Sequence, residues 1–169
     1  MYGMRSHPYG YLLKALTEGA GEIREQLLPV PDEAARWRPA EDEWAVVEIA
    51  AHLRDAEGLY GEQIRCIARR PGTDLPVVDL EGLAAERRYL EEDLHQALAQ
   101  FTRLRRITAS LLWELDPDDW ERTGHHRYRG DVSIAQIARE LNQHDLSHLW
   151  QARRVLEQWR ETEGRGASW

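Results

Sequence analysis

The sequence contains a single cysteine, Cys66, so an internal disulfide is excluded. This fits a protein of a reducing compartment, and we expect a cytoplasmic location. No stretch approaches the roughly 20 consecutive apolar residues that span a bilayer, so we expect no membrane segment. The first residues, Met1 to Lys14, also lack an uninterrupted apolar run, which argues against a signal peptide.

Basic residues are outnumbered, with 22 lysines and arginines against 30 acidic residues and a formal net charge of −8. An acidic protein repels a phosphate backbone, so we expect no nucleic-acid partner. The one basic cluster, Arg103, Arg105 and Arg106, is interpreted as part of a mixed helix surface. Apolar residues make up 42% of the 169 residues, which excludes a wholly disordered chain and predicts one domain over residues 1–169.

The strict alternation of apolar and polar residues that marks strands is not found, whereas helical periodicity recurs along the chain. Proline and glycine end the periodic segments, as at Pro29, Pro71-Gly72 and Asp116-Pro117. Ser133 and Gln136 form a capping-box pattern that begins the last segment. The sequence therefore predicts an all-α, four-helix bundle with helices at about residues 8–28, 45–69, 83–115 and 133–159.

Three histidines occupy apolar stripes of these predicted helices. At about 100° per residue, His144 and His148 project from the same face, one helical turn apart. His52 lies in the apolar stripe of the second helix. A buried polar group without a partner costs about 1–3 kcal/mol, so three imidazoles inside a small bundle require an explanation.

Two interpretations remain open from the spacing alone. Each histidine could be a core residue that hydrogen-bonds to a neighbour. Alternatively, the three imidazoles could bind one divalent metal ion, since imidazole is a good ligand for zinc, nickel, copper and ferrous iron. Three protein ligands leave coordination positions free for water or substrate, as in catalytic sites.

Two segments resemble motifs of the DinB/YfiT-like metalloprotein superfamily. Trp44 to Glu57 resembles the motif of its second helix, and Ser133 to Gln151 resembles its last motif. Tyr89 to Leu115 and Gly124 to Gly130 follow the same layout, so the resemblance covers nearly the whole chain. It implies a four-helix bundle of the DinB/YfiT-like type.

The resemblance also implies the metal ligands, which are His52 from the second helix and His144 and His148 from the last. Zinc or nickel is the expected metal, with iron as a further option. One departure is Ala45, where relatives often place a serine that caps the helix. The loss of that cap costs about 1 kcal/mol, which Asp42 or Glu43 could partly offset.

Two carboxylates are spaced to assist the site. Glu48 precedes His52 by four residues and Asp55 follows it by three, so either could hold its second ring nitrogen or handle a proton. Asp145 points about 100° away from His144 and is a weaker candidate. For each of them, a solvated helix charge is the alternative. His125 and His126 lie in a loop and are expected to be exposed.

The resemblance implies a metal-dependent enzyme, a thiol-dependent S-transferase that acts on small electrophiles or a related hydrolase. Its thiol would be a low-molecular-weight one such as bacillithiol, mycothiol or glutathione. The alternative is a non-catalytic metal-binding protein of the stress response. A metalloprotease is disfavoured, because the spacing His144-Asp145-x-x-His148 lacks the glutamate of H-E-x-x-H. We expect a small-molecule substrate and a homodimer.

Overall fold

The computed structural model describes residues 7–166, and the side chains up to residue 163. Within these residues, four long helices form the bundle. Two short helices, two 3-10 turns and one β-hairpin connect them. In chain order these elements are α1 (Gly10–Leu27), α2 (Asp32–Arg36), α3 (Val46–Arg69), α4 (Leu80–Glu86), the 3-10 turn Tyr89–Glu91, α5 (Leu94–Glu114), the 3-10 turn Pro117–Glu121, β1 (Thr123–His126), β2 (Gly130–Ser133) and α6 (Ile134–Gly166). Helices α1 and α3 each pack against both α5 and α6, so α1 and α3 lie diagonally opposite each other.

The prediction of one continuous third helix over residues 83–115 is wrong. The chain forms α4, then a 3-10 turn, and α5 begins only at Leu94. Arg88 adopts a left-handed conformation with φ of 54°, which ends the first helical piece. Asp93 then caps α5, because its carboxylate accepts the Gln96 backbone N–H at 2.7 Å. The other three long helices lie close to their predicted ranges, although α6 extends beyond residue 159.

The hairpin is also a departure from the all-helical prediction. Strands β1 and β2 pair antiparallel, from Thr123 opposite Ser133 to His126 opposite Gly130. A Cβ at Gly124 would come within 2.6 Å of Leu75 and 2.9 Å of Ile67, so the hairpin packs closely on α3 and on the segment after it. The two strands, Thr123–His126 and Gly130–Ser133, have no alternation of apolar and polar residues, so the sequence carries no strand signal there.

The bundle core consists of two apolar clusters separated by a polar layer. One cluster contains Leu53, Phe101 and Leu149, and the other contains Ile64 and Leu141 among its members. Between them, Arg105 of α5 donates hydrogen bonds to Glu57 of α3 at 2.8 Å, to Asp145 of α6 at 2.7 Å and to the Leu16 carbonyl of α1 at 2.8 Å. We call Glu57, Arg105 and Asp145 the core ion triad. The assignment of Arg105 to a mixed surface is therefore wrong, since it is only 2% exposed.

The outer surface of the bundle carries a few large apolar side chains. None of the helices within residues 7–166 has the length and apolar character required to cross a membrane. Leu146 and Trp150 of α6 are exposed at 45% and 65%. The homodimer expected from the sequence stays a prediction.

Candidate metal centre

The three histidines of the predicted site meet between α3 and α6. One ring nitrogen from each of His52, His144 and His148 lies within 4.8 Å of the other two. The Nε2 atoms of His52 and His144 are 2.9 Å apart, and the ring centroids are separated by 4.4 to 5.0 Å. Packing of α3 against α6 brings the two distant segments of sequence together.

The nitrogen atoms of the three rings could hold one metal ion. His52 Nε2 and His144 Nε2 face each other, while the Nδ1 atoms of both rings are buried without a hydrogen-bond partner among the described residues. Two neutral imidazoles in this arrangement can share only one proton between their Nε2 atoms. A divalent cation accepts all the inward lone pairs at once, and an all-imidazole donor set suits zinc, nickel or ferrous iron.

Gln151 orients the third ring. Its Oε1 lies 2.8 Å from His148 Nδ1, so this nitrogen carries the proton and the lone pair of Nε2 is available for a metal. Gln151 ends the segment that resembles the last motif of the family, but no role was assigned to it from the sequence. The signal was its position three residues after His148, on the same helix face.

Burial keeps the three imidazoles neutral. It lowers the pKa of His52 to about 4, with a further decrease from His148, while the Leu80 backbone and the Asp55 carboxylate act in the opposite direction. Burial also lowers the pKa of His144 to about 3, with smaller contributions from His148, His52 and Arg105. The pKa of His148 is lowered by burial and partly restored by Gln151. At neutral pH all three rings can therefore act as ligands.

These pKa shifts predict that the metal-free protein loses stability in mild acid. The unfolded chain binds protons near the ordinary histidine pKa of about 6.5, whereas folded His52 and His144 bind them only near pH 4 and 3. The free energy of unfolding is therefore not reduced by these histidines above pH 6.5. It declines as the pH falls below that value, because the unfolded state then binds more protons than the folded state. Urea unfolding of chelator-treated protein at pH 7.5 and 5.0 measures the decline. The variant His144→Gln should show a smaller decline, and an equal one would contradict the prediction.

Glu48 caps α3 and does not contact the histidines. Its carboxylate accepts the Ala45 backbone N–H at 2.9 Å and two hydrogen bonds from Arg38. Glu48 thus makes one half of a capping box, in which the side chain of the third helical residue accepts the backbone N–H of the N-cap residue. The other half, a side chain at residue 45 that accepts a backbone N–H of the first turn, is absent because residue 45 is alanine. Both of its oxygens are occupied by these partners, so the interpretation that Glu48 holds His52 Nδ1 does not apply in this structure.

Asp55 faces the α4 side of α3. Its carboxylate accepts hydrogen bonds from Arg54 at 2.9 Å, from Arg87 at 3.0 Å and from the Tyr89 hydroxyl. Burial opposes ionisation of Asp55, but Arg54 and Tyr89 lower its pKa overall. These charge-assisted partners hold Asp55 away from the ring nitrogen that it was expected to bind. A role in proton handling for Glu48 or Asp55 stays a prediction.

Asp145 points away from His144, as its position on the helix suggested. It enters the core ion triad, where burial raises its pKa to about 6 against the effect of Arg105. The two loop histidines lie outside the cluster. His125 is exposed beside Asp131, whereas His126 is half-buried in the hairpin.

The position of Glu48 predicts an effect on stability and none on metal content. Glu48→Ala removes the cap on Ala45 N–H and leaves Arg38 without its carboxylate, so we expect a loss of about 1–2 kcal/mol in the free energy of unfolding. Urea unfolding measures this loss, and elemental analysis measures the metal. A drop in metal content without a change in stability would instead indicate a role in holding the ligands.

The sequence profile of the DinB superfamily matches residues 15–152. The chain belongs to the DinB superfamily. This confirms the resemblance noted from the two histidine-containing motifs. A comparison with curated proteins finds no match.

Several solved structures have the same fold as this chain. YfiT from Bacillus subtilis, described as a probable metal-dependent hydrolase with an unusual four-helix bundle topology, has a TM-score of 0.81 and 13% identity, with 88% of this chain and 86% of YfiT covered. TT2238, a four-helix bundle protein, has a TM-score of 0.64 and 18% identity over 86% of this chain and 98% of its own. These similarities confirm the predicted four-helix bundle.

A mycothiol-dependent maleylpyruvate isomerase also has this fold, with a TM-score of 0.71 and 12% identity. The match covers 90% of this chain but only 63% of the isomerase, so the DinB-superfamily chain spans less than two thirds of the isomerase's length. At these identities the solved structures establish the fold and leave the reaction to be argued from the residues of the site.

Proposed function

We propose that this DinB-superfamily protein is a metal-dependent enzyme that joins a low-molecular-weight thiol to small electrophiles. The observation that carries the proposal is the unequal burial of the three histidines. His52 is 5% exposed, whereas His144 and His148 are half-buried. A metal held at this position would be fixed in the bundle and still be reached from outside, as an open catalytic site requires.

Residues of the chain prepare the site before any ligand binds. Gln151 holds His148 in one tautomer, and burial keeps all three rings neutral. The Trp44 ring lies 4.8 Å from the His52 ring and stacks at 6.2 Å on the His148 ring, so it shields one side of the cluster from water. When bound, zinc, nickel or iron would lower the pKa of a thiol or of water, so that the nucleophile forms at neutral pH.

The thiol-dependent reaction is supported by the structural similarity to an isomerase that is described as mycothiol-dependent. Hydrolysis is the second candidate, and the similarity to YfiT, described as a probable metal-dependent hydrolase, favours it. Both reactions would use the same histidines and differ in whether a thiol or water attacks. Binding of the thiol, rather than the metal, is therefore the feature that distinguishes them.

The test begins with untagged protein, because a histidine tag would itself bind metal. Bound metal is measured by elemental analysis, and we expect about one divalent ion per chain. Conjugation is assayed with glutathione, bacillithiol and mycothiol against 1-chloro-2,4-dinitrobenzene, and hydrolysis with 4-nitrophenyl acetate. Chelator-treated protein, with and without added zinc, nickel or iron, is the matched control.

Conjugation with one thiol that disappears on metal removal and returns on metal addition would support the transferase. Metal-dependent ester hydrolysis without conjugation would support the hydrolase instead. Stoichiometric metal with neither activity would favour the non-catalytic metal-binding protein. Activity that persists in the absence of metal would overturn the proposal.

A further inference from the structure

We propose that the Tyr60 hydroxyl binds an acceptor oxygen of an uncharged small electrophile, in a cavity between α3 and the hairpin. This inference rests on the proposed function, since it names the substrate class and one substrate contact of the same site. We call the space the hairpin cavity. It is bounded by α3, the segment 77–81 and the turn 126–129.

The hairpin cavity has the size and lining of a small-molecule site. Its volume is about 480 Å³, within the range of about 300–1,000 Å³ typical of ligand pockets. Much of its wall is apolar, provided by Leu59, Val77, Val78 and Leu80. Buried Gln63 donates a hydrogen bond to the Pro76 carbonyl at 2.8 Å and so ties this wall to α3. The cavity is thus formed before a ligand arrives.

Tyr60 connects the hairpin cavity with the histidine cluster. It follows His52 by eight residues on α3, lines the cavity, and places its ring 6.0 Å from the His144 ring. The ring is half-buried, and the hydroxyl, which has no hydrogen-bond partner among the described residues, is not one of the fully buried unpaired atoms, so a molecule from solvent can reach it. Burial raises the pKa of the Tyr60 hydroxyl, so it stays protonated at neutral pH and can donate a hydrogen bond to an oxygen acceptor. A bound molecule with a carbonyl or nitro oxygen would accept this hydrogen bond in place of solvent.

The charges around the hairpin cavity favour an uncharged ligand. Its lining carries two acidic residues, Asp79 and Glu81, and two arginines, Arg127 and Arg129, so their formal charges cancel. Arg129 is already paired with Glu140, and Asp79 accepts the Gly82 backbone N–H at 3.1 Å. An anionic ligand would therefore leave water for a cavity without excess positive charge, which is unfavourable.

The test measures binding, so it does not depend on turnover. Zinc-loaded protein carrying tyrosine labelled with ¹³C at Cζ is titrated by NMR with three probes of similar shape. These are acetophenone, which has an acceptor oxygen, cumene, which lacks one, and benzoate, which is anionic. The Cζ signal that disappears in Tyr60→Phe identifies Tyr60. We expect acetophenone to shift this signal and to bind about five- to tenfold more weakly to Tyr60→Phe, with cumene affinity unchanged.

Tyr11→Phe is the matched control, because Tyr11 is 87% exposed on α1 and lies outside the cavity. It should bind all three probes as the natural protein does. Equal acetophenone affinity in the natural protein and in Tyr60→Phe would overturn the hydrogen bond, and benzoate binding as tight as acetophenone binding would overturn the uncharged class. If Tyr60→Phe unfolds, absence of an acetophenone-induced shift in the natural protein still overturns the proposal. Binding as expected without thiol transfer or hydrolysis would contradict the proposed function alone.

Discussion

Replacing His52 with alanine is expected to abolish stoichiometric metal binding. His52 is the only ligand that α3 contributes to the cluster, and its Nε2 lies 2.9 Å from His144 Nε2. Even the loss of an outer partner of a ligand weakens metal binding 10- to 100-fold, so the loss of a ligand itself should exceed about 100-fold. Elemental analysis of untagged protein and competition with a zinc indicator measure the change.

His95→Ala is the matched control, since His95 is exposed on α5 and lies outside the cluster. Its metal content should equal that of the natural protein. Thermal unfolding followed by circular dichroism shows whether His52→Ala still folds. A folded His52→Ala protein with unchanged zinc affinity would rule out the three-histidine site.

Replacing Arg105 with methionine is expected to destabilise the protein strongly. Arg105 donates to Glu57, to Asp145 and to the Leu16 carbonyl, and the two carboxylates raise its pKa against the effect of burial. Removal of the guanidinium leaves both carboxylates buried without their partner. The expected loss is about 3–5 kcal/mol in the free energy of unfolding, measured by urea denaturation at pH 7.

A triple variant separates the cost of unpaired charge from the loss of packing. In Glu57→Leu, Arg105→Met, Asp145→Leu the whole core ion triad becomes apolar, and replacements of this kind are often neutral or stabilising. We expect the triple variant to recover most of the stability lost in Arg105→Met. If the single variant were as stable as the natural protein, the triad would not carry the stability assigned to it.

Most of the fold could be predicted from the sequence because its signals are local. Apolar residues at helical spacing and the prolines and glycines that follow them gave three of the four long helices. The predicted third helix was wrong between Leu83 and Leu94. The helix is interrupted there by the left-handed backbone of Arg88 and by the cap that Asp93 gives to α5. The Tyr89 side chain in that break is buried with its hydroxyl on Asp55, a contact that spans 34 residues and leaves no periodic trace.

The candidate site was predictable in part. The spacing of His144 and His148 is set by the helix itself, and family resemblance added His52 to the same site. The expectation that Glu48 or Asp55 holds the second ring nitrogen of His52 failed because spacing gives the face of a helix but not the competing partners. Arg38 and Ala45 N–H occupy Glu48, while Arg54, Arg87 and Tyr89 occupy Asp55. Arg54 and Ala45 belong to α3 or its cap, whereas Arg38, Arg87 and Tyr89 lie outside α3 and reach these carboxylates only through tertiary packing.

By itself, the sequence determined the helical class, the pairing of His144 with His148 on one face, and the family. The physical reason is that helix periodicity and short motifs are properties of neighbouring residues. Only the tertiary structure decided how closely the His52 ring approaches the pair, that Arg105 is buried between two carboxylates, and that Tyr60 borders both the histidines and the hairpin cavity. These juxtapositions depend on how α3, α5, α6 and the hairpin pack, and packing joins residues that are far apart in the chain.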